Sequence, residues 1–109
     1  MKIAVLGSGS WGTALGQVLA ENGHEVVLWG REDYIADEIN QAHTNSHFLP
    51  GINLPATIVA TTDLKAALDQ ATVLLFVLPT NAIRSVARQV ASYLSQSDAQ
   101  PLLVHATKG

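Results

Sequence analysis

Cysteine is absent from this chain, which excludes disulfides and thiolate metal sites and makes a reducing cytoplasm the expected compartment. Charge is sparse as well. Only 14% of the 109 residues are charged and the net charge is −3, so there is no broad basic field and no nucleic-acid partner is expected. No stretch approaches the roughly 18 consecutive apolar residues of a membrane span, so stable membrane insertion is not expected either. The N-terminus lacks the basic start and long apolar block of a signal peptide, and Gly7 interrupts its first apolar run early. What the chain does have is 48% apolar residues, enough for one domain with a real core. Any phosphate it binds must be held by local geometry.

Strand-like and helix-like segments alternate from end to end. Strands are expected at Lys2–Leu6, Glu25–Trp29, Thr57–Ala60, Val73–Leu78 and Leu102–His105. The fourth is apolar throughout, as suits a strand covered on both faces. Helices are expected over about Trp11–Asn22, with Ser10 as N-cap and Asn22-Gly23 as its stop, and over Asp33–Ala42. Two more should run from a Thr62 or Asp63 cap to about Gln70, and over about Ala82–Leu94. Between the second helix and the third strand, residues His43–Pro55 form an irregular stretch long enough to suggest a working loop. The pattern predicts an α/β fold, a parallel sheet wound on both sides in the order 3-2-1-4-5. The sequence stops directly after a central-type strand, so it is expected to be the N-terminal portion of a longer enzyme.

The first strand enters a turn with glycines at Gly7, Gly9 and Gly12, and a helical pattern follows without a break. Strand, G-x-G-x-x-G and helix in that order make a dinucleotide-binding (Rossmann) fingerprint. Gly7 permits the tight turn out of the strand. Gly9 leaves the backbone open to a pyrophosphate, and Gly12 lets the helix sit against the strand. The helix start then offers free N–H groups and the positive end of its dipole to an anion. A Gly-rich turn with no ligand is the alternative, and the register of strand, turn and helix argues against it.

The second strand ends Leu28-Trp29-Gly30-Arg31-Glu32-Asp33, about 20 residues past the turn, where a carboxylate usually bonds the ribose of NAD. No carboxylate stands at its tip. Arg31 offers a planar fork to a 2′-phosphate, which favours NADP over NAD; the alternative is a surface arginine paired with Glu32 or Asp33, and those acids leave NAD use possible. Trp29 either lies beside the adenine or closes the core of the strand. Trp11 is expected to pack beneath the turn or over the nicotinamide half. Pro79-Thr80-Asn81 either lines the nicotinamide pocket or is a turn with Asn81 as helix cap.

Gly7-Ser8-Gly9-Ser10-Trp11-Gly12-Thr13-Ala14-Leu15, Asn22-Gly23-His24, Leu28-Trp29-Gly30-Arg31, Leu49-Pro50-Gly51 and Ala106-Thr107-Lys108-Gly109 together resemble bacterial-type NAD(P)-dependent glycerol-3-phosphate dehydrogenase along the whole chain. The resemblance implies interconversion of glycerone phosphate and sn-glycerol 3-phosphate by hydride transfer, feeding glycerophospholipid synthesis. It implies cofactor contacts at Ser10, Trp11 and Arg31, beside the fingerprint glycines, and contact of Lys108 with both cofactor and substrate. Lys108 also follows the fifth strand at the carboxyl edge, where a compact cation suits a phosphate or a developing alkoxide. The family's proton-transferring lysine lies in a helical second domain that this sequence does not include. No catalytic residue is therefore assigned, and these residues alone are expected to bind nucleotide without turnover. The full-length enzyme is expected to act on a small phosphorylated three-carbon substrate, with a homodimer as its candidate assembly.

Other signals are weaker. His43 and His47 are four apart, but the Thr-Asn-Ser between them and Leu49-Pro50-Gly51 beyond argue against a helix, so no metal site is expected. His24 reads as structural, and Asp63 and Asp69 as a cap and a solvated face. Competing functions are a 6-phosphogluconate or hydroxyacid-type dehydrogenase sharing this plan, and a nucleotide-sensing module. A methyltransferase would want an acid where Arg31 stands.

Overall fold

The alternation of apolar side chains along the first two strands decides the architecture. The structure, a computed structural model, describes residues 1–106. Strand β1 is Lys2–Leu6 and β2 is Glu25–Trp29. Ile3, Val5, Val26 and Leu28 project to one face, while Ala4, Leu6, Val27 and Trp29 project to the other. Both faces are apolar, so both must be covered by helices.

Helices α1 (Ser10–Glu21) and α2 (Asp33–Ala42) cover the first face, with Leu15, Leu19, Ile35 and Ile39 packed against it. Helices α3 (Leu64–Leu68) and α4 (Thr80–Ser95) cover the second with Ala67, Leu68, Val86 and Val90. With β3 (Val59–Thr61), β4 (Val73–Phe76) and β5 (Leu102–His105) the sheet is five-stranded and parallel, in the order β3-β2-β1-β4-β5. That is the doubly wound Rossmann order. The direction of winding reverses between β1 and β4, and open α/β sheets bind their ligands outside the carboxyl ends of the strands at such a point.

Four expectations need correction. Ser10 is the first residue of α1 rather than its cap; Gly9 holds the cap position, and the Ser10 hydroxyl donates elsewhere. Strand β3 begins at Val59, not Thr57, because the chain is still turning there and the Ile58 N–H donates to the Pro55 carbonyl. The outer edge of β3 is instead sealed by a side chain: the Asn40 amide both donates to the Ala60 carbonyl and accepts from the Ala60 N–H, at 2.9 and 2.8 Å. Strand β4 stops at Phe76 because its neighbour β1 leaves the sheet at Gly7, and α4 starts at Thr80 with Pro79, not Asn81, as its cap. Among the described residues, no helix is long and apolar enough to cross a membrane.

Candidate dinucleotide site

The glycine turn is compressed between two backbones. Gly7 has φ +137°, and a Cβ on it would overlap the Val77 carbonyl of the neighbouring strand end. A Cβ at Gly12 would overlap the Gly7 carbonyl oxygen. These two glycines let β1, α1 and β4 meet so closely. Gly9 differs, because a Cβ there would meet nothing within 4 Å. Its lack of a side chain serves no protein contact, so the space beside it remains available.

That space opens into a cleft of about 570 Å³ lined by Gly9, Ser10, Trp11, Gly12, Leu49 and Pro79 together with Ala14, Val77, Leu78 and Ala106. It lies at the carboxyl ends of β1, β4 and β5, on the switch point. The first turn of α1 faces it, and Thr13 N–H is the first to donate back along the helix, to the Gly9 carbonyl at 2.9 Å. The amides ahead of it have no helical carbonyl to meet. Charge agrees with this reading. Neither α1 nor α4, the two helices starting at the cleft, has an acidic residue in its first turn. By contrast Asp33 stands in the first turn of α2, and the Asp63 carboxylate caps α3 through the Lys65 N–H. An anion is welcome at α1 and repelled at α3.

A second cleft of about 610 Å³ lies between α3 and α4, with Trp29, Asp63, Lys65, Gln89 and Tyr93 among its lining. Size does not separate the two clefts. Position does, because the helix start bordering the second is already occupied by the Asp63 carboxylate.

The long connection between α2 and β3 is fastened to the glycine turn. Asn45 is completely buried, and its amide donates to the Ser8 carbonyl at 3.0 Å and to Thr13 Oγ1 at 2.9 Å. Thr13 Oγ1 also donates to the Ser8 carbonyl, at 3.2 Å. The Ser10 hydroxyl donates to the Phe48 carbonyl at 2.6 Å, and Leu49 from the same loop joins the cleft wall. At its near end the loop is held by Glu38. That carboxylate accepts from Thr44 Oγ1 at 2.6 Å, Ser46 N–H at 2.9 Å and Ser46 Oγ at 3.0 Å. The Thr44 hydroxyl and then the Ser46 amide hold its pKa below the ordinary 4.5.

The structure brings Gly9, Ser10, Trp11 and Gly12 together in one cleft wall, with Gly7 supporting them from behind. Trp11 does not pack beneath the turn: the residue is 58% exposed, and its indole N–H donates to the Ala106 carbonyl at 3.1 Å across the cleft mouth. Trp29 closes the core. It is buried, with its indole N–H on the Thr62 carbonyl at 3.0 Å. Arg31 lies two residues past the end of β2 and is exposed. Among the described residues no ion pair joins it to Glu32 or Asp33, and Asp33 accepts from the Thr62 hydroxyl instead. At Gly30 a Cβ would overlap the Ser8 hydroxyl, so a carboxylate at the tip of β2 would have to displace it. Lys108 lies outside the described residues. His43 and His47 do not share a helical face, because α2 ends at Ala42 and His43 turns into the left-handed region, φ 58°. The hydrogen bonds of Asn45, Thr13 and Glu38 leave no mark in the sequence. An Asn in a long loop is ordinarily a turn former, and nothing local reveals a hydrogen bond spanning more than thirty positions.

Known proteins bear on this geometry. The family model described as NAD-dependent glycerol-3-phosphate dehydrogenase N-terminus matches residues 2–109. Glycerol-3-phosphate dehydrogenase [NAD(P)+] of Enterococcus faecalis is 58% identical over 108 residues, which cover 99% of this chain and 31% of that protein. The enzyme of the same name from Lactobacillus acidophilus is 56% identical over 99% of this chain and 32% of its own length. The crystal structure of glycerol-3-phosphate dehydrogenase from Coxiella burnetii superposes with a TM-score of 0.85 at 40% identity, over 99% of this chain and 32% of that one. The chain thus spans about a third of the length of these relatives. On these grounds the chain belongs to the NAD-dependent glycerol-3-phosphate dehydrogenase family, in the part that the family description calls the N-terminus.

Proposed function

We propose that these residues form the cofactor-binding part of an NAD(P)-dependent glycerol-3-phosphate dehydrogenase. The longer protein interconverts glycerone phosphate and sn-glycerol 3-phosphate, and a helical substrate domain follows beyond residue 109. The carrying observation is the free start of α1, aimed into an apolar cleft at the switch point with open space at Gly9. The amides of Ser10, Trp11 and Gly12 meet the diphosphate, and the helix dipole adds to their attraction. Held there by the first turn of α1, the nicotinamide cofactor would supply hydride-transfer chemistry for a substrate carbonyl.

The chain's own contribution is binding, orientation and exclusion of water. Val77, Leu78 and Pro79 give the nicotinamide half an apolar wall. Trp11 tethers the chain just past β5 at Ala106, and Lys108 we assign to both cofactor and substrate phosphate. Arg31, exposed and with no acidic partner among the described residues, meets a 2′-phosphate, so NADP is favoured and NAD remains usable. No general acid or base is assigned to these residues. We place the enzyme in the cytoplasm, with a homodimer as its assembly and no nucleic-acid partner.

The test is binding of NADPH and NADH to the purified protein, with glycerone phosphate reduction assayed in the longer protein. Micromolar binding with turnover of glycerone phosphate is expected. A folded protein that binds neither nucleotide would overturn the assignment. Turnover of a 6-phosphogluconate or hydroxyacid substrate instead would keep the cofactor site and replace the reaction.

A further inference from the structure

Ser8, Thr13 and Asn45 are joined by hydrogen bonds, yet none of the three lines the cleft. A primary amide buried without partners costs several kcal/mol, so Asn45 is tolerable there only because its polar atoms are used. Both of its N–H groups donate, to Ser8 and to Thr13, and its Oδ1 accepts from the Phe48 N–H at 3.3 Å. The Ser8 carbonyl therefore receives two side-chain donors from different parts of the chain, one on α1 and one on the loop.

That carbonyl shares a rigid planar peptide with the N–H of Gly9, and in a trans peptide the two groups point in opposite directions. Fixing the Ser8 oxygen on Asn45 and Thr13 thus fixes the Gly9 N–H, aiming it away from them. Gly9 lines the cleft. Donors on the carbonyl also polarise the peptide and strengthen its N–H as a donor. We propose that Asn45, acting with Thr13 through the Ser8–Gly9 peptide, is a positioning residue for the cofactor diphosphate. This rests on the cofactor reading above.

The test compares NADPH with adenosine 2′-monophosphate, a probe that lacks the diphosphate, on four forms of the protein: wild type, Asn45→Asp, Thr13→Val and Thr13→Ser. Asn45→Asp keeps the shape and the acceptor but loses both donors; Thr13→Val keeps the shape and loses the hydroxyl; Thr13→Ser keeps the hydroxyl. Asn45→Asp and Thr13→Val should each weaken NADPH about tenfold while leaving adenosine 2′-monophosphate within about twofold, and Thr13→Ser should stay near wild type. Circular dichroism establishes folding in each case, and Thr13→Val carries the test if Asn45→Asp does not fold. Folded variants that bind NADPH as wild type does, or that lose both ligands equally as a merely structural defect would, overturn the proposal and leave the cofactor reading standing. A wild type that fails to bind NADPH overturns both.

Discussion

The glycine turn at residues 7–13 and the corner at Arg31 both sit at the carboxyl edge of the sheet, but they hold their polar groups in different ways. At the turn, the backbone is clamped between Val77 and α1, and the buried amide of Asn45 secures it from the loop. At the corner, one exposed guanidinium stands past the end of β2, with no acidic neighbour bonded to it among the described residues. A rigid set of amides gives binding that tolerates no rearrangement. An exposed, solvated cation contributes modestly and selectively. On the proposed reading, affinity comes from the turn and cofactor preference from the corner.

Ways to break this contrast follow in order of size. Gly12→Val should be the most damaging, because its side chain would run into the Gly7 backbone; a loss of more than about 3 kcal/mol of stability, or failure to fold, is expected in urea melts. Gly9→Val should separate folding from binding. Gly9 has φ −74° and free space around it, so the substitution should cost about 1 kcal/mol of stability or less, as a poorer cap, while NADPH affinity falls more than about 100-fold by titration. Arg31→Ala should weaken NADPH about tenfold and NADH by less than about twofold; equal losses would remove the 2′-phosphate role.

The smallest effect concerns the outer anchor of the loop. Glu38 titrates below its ordinary 4.5 in the folded chain, so its stabilisation is complete above that value and is lost as pH falls through the lowered folded pKa. Glu38→Gln should therefore melt lower than wild type at neutral pH, and the gap should close on acidification below about 4.5. A gap that persists at the acid end would show that the Thr44 and Ser46 bonds do not depend on the charge.

Much of the fold could be read in the chain because its signals are local. Strands β1, β2 and β5 and helix α2 fall where expected, bounded by Gly7, Asn22-Gly23 and Asp33. Strand β3 was harder, since its edge is satisfied by the distant Asn40 rather than by its own pattern. The site divides in the same way. Its glycines carry their purpose in their spacing, whereas Asn45 and Glu38 act through contacts that exist only once the loop has folded over the turn. The place of Trp11 beside the glycine turn was readable but not its orientation, in which the indole N–H meets the Ala106 carbonyl from the far end of the sequence.

The most direct check on the central claim is a ¹H–¹⁵N titration of the labelled protein with NADPH. The largest displacements should fall on the amides of Gly9, Ser10, Trp11 and Gly12, with smaller ones near Arg31. If those amides stay put while Lys65, Gln89 and Tyr93 in the α3–α4 cleft shift instead, the diphosphate does not bind at the start of α1.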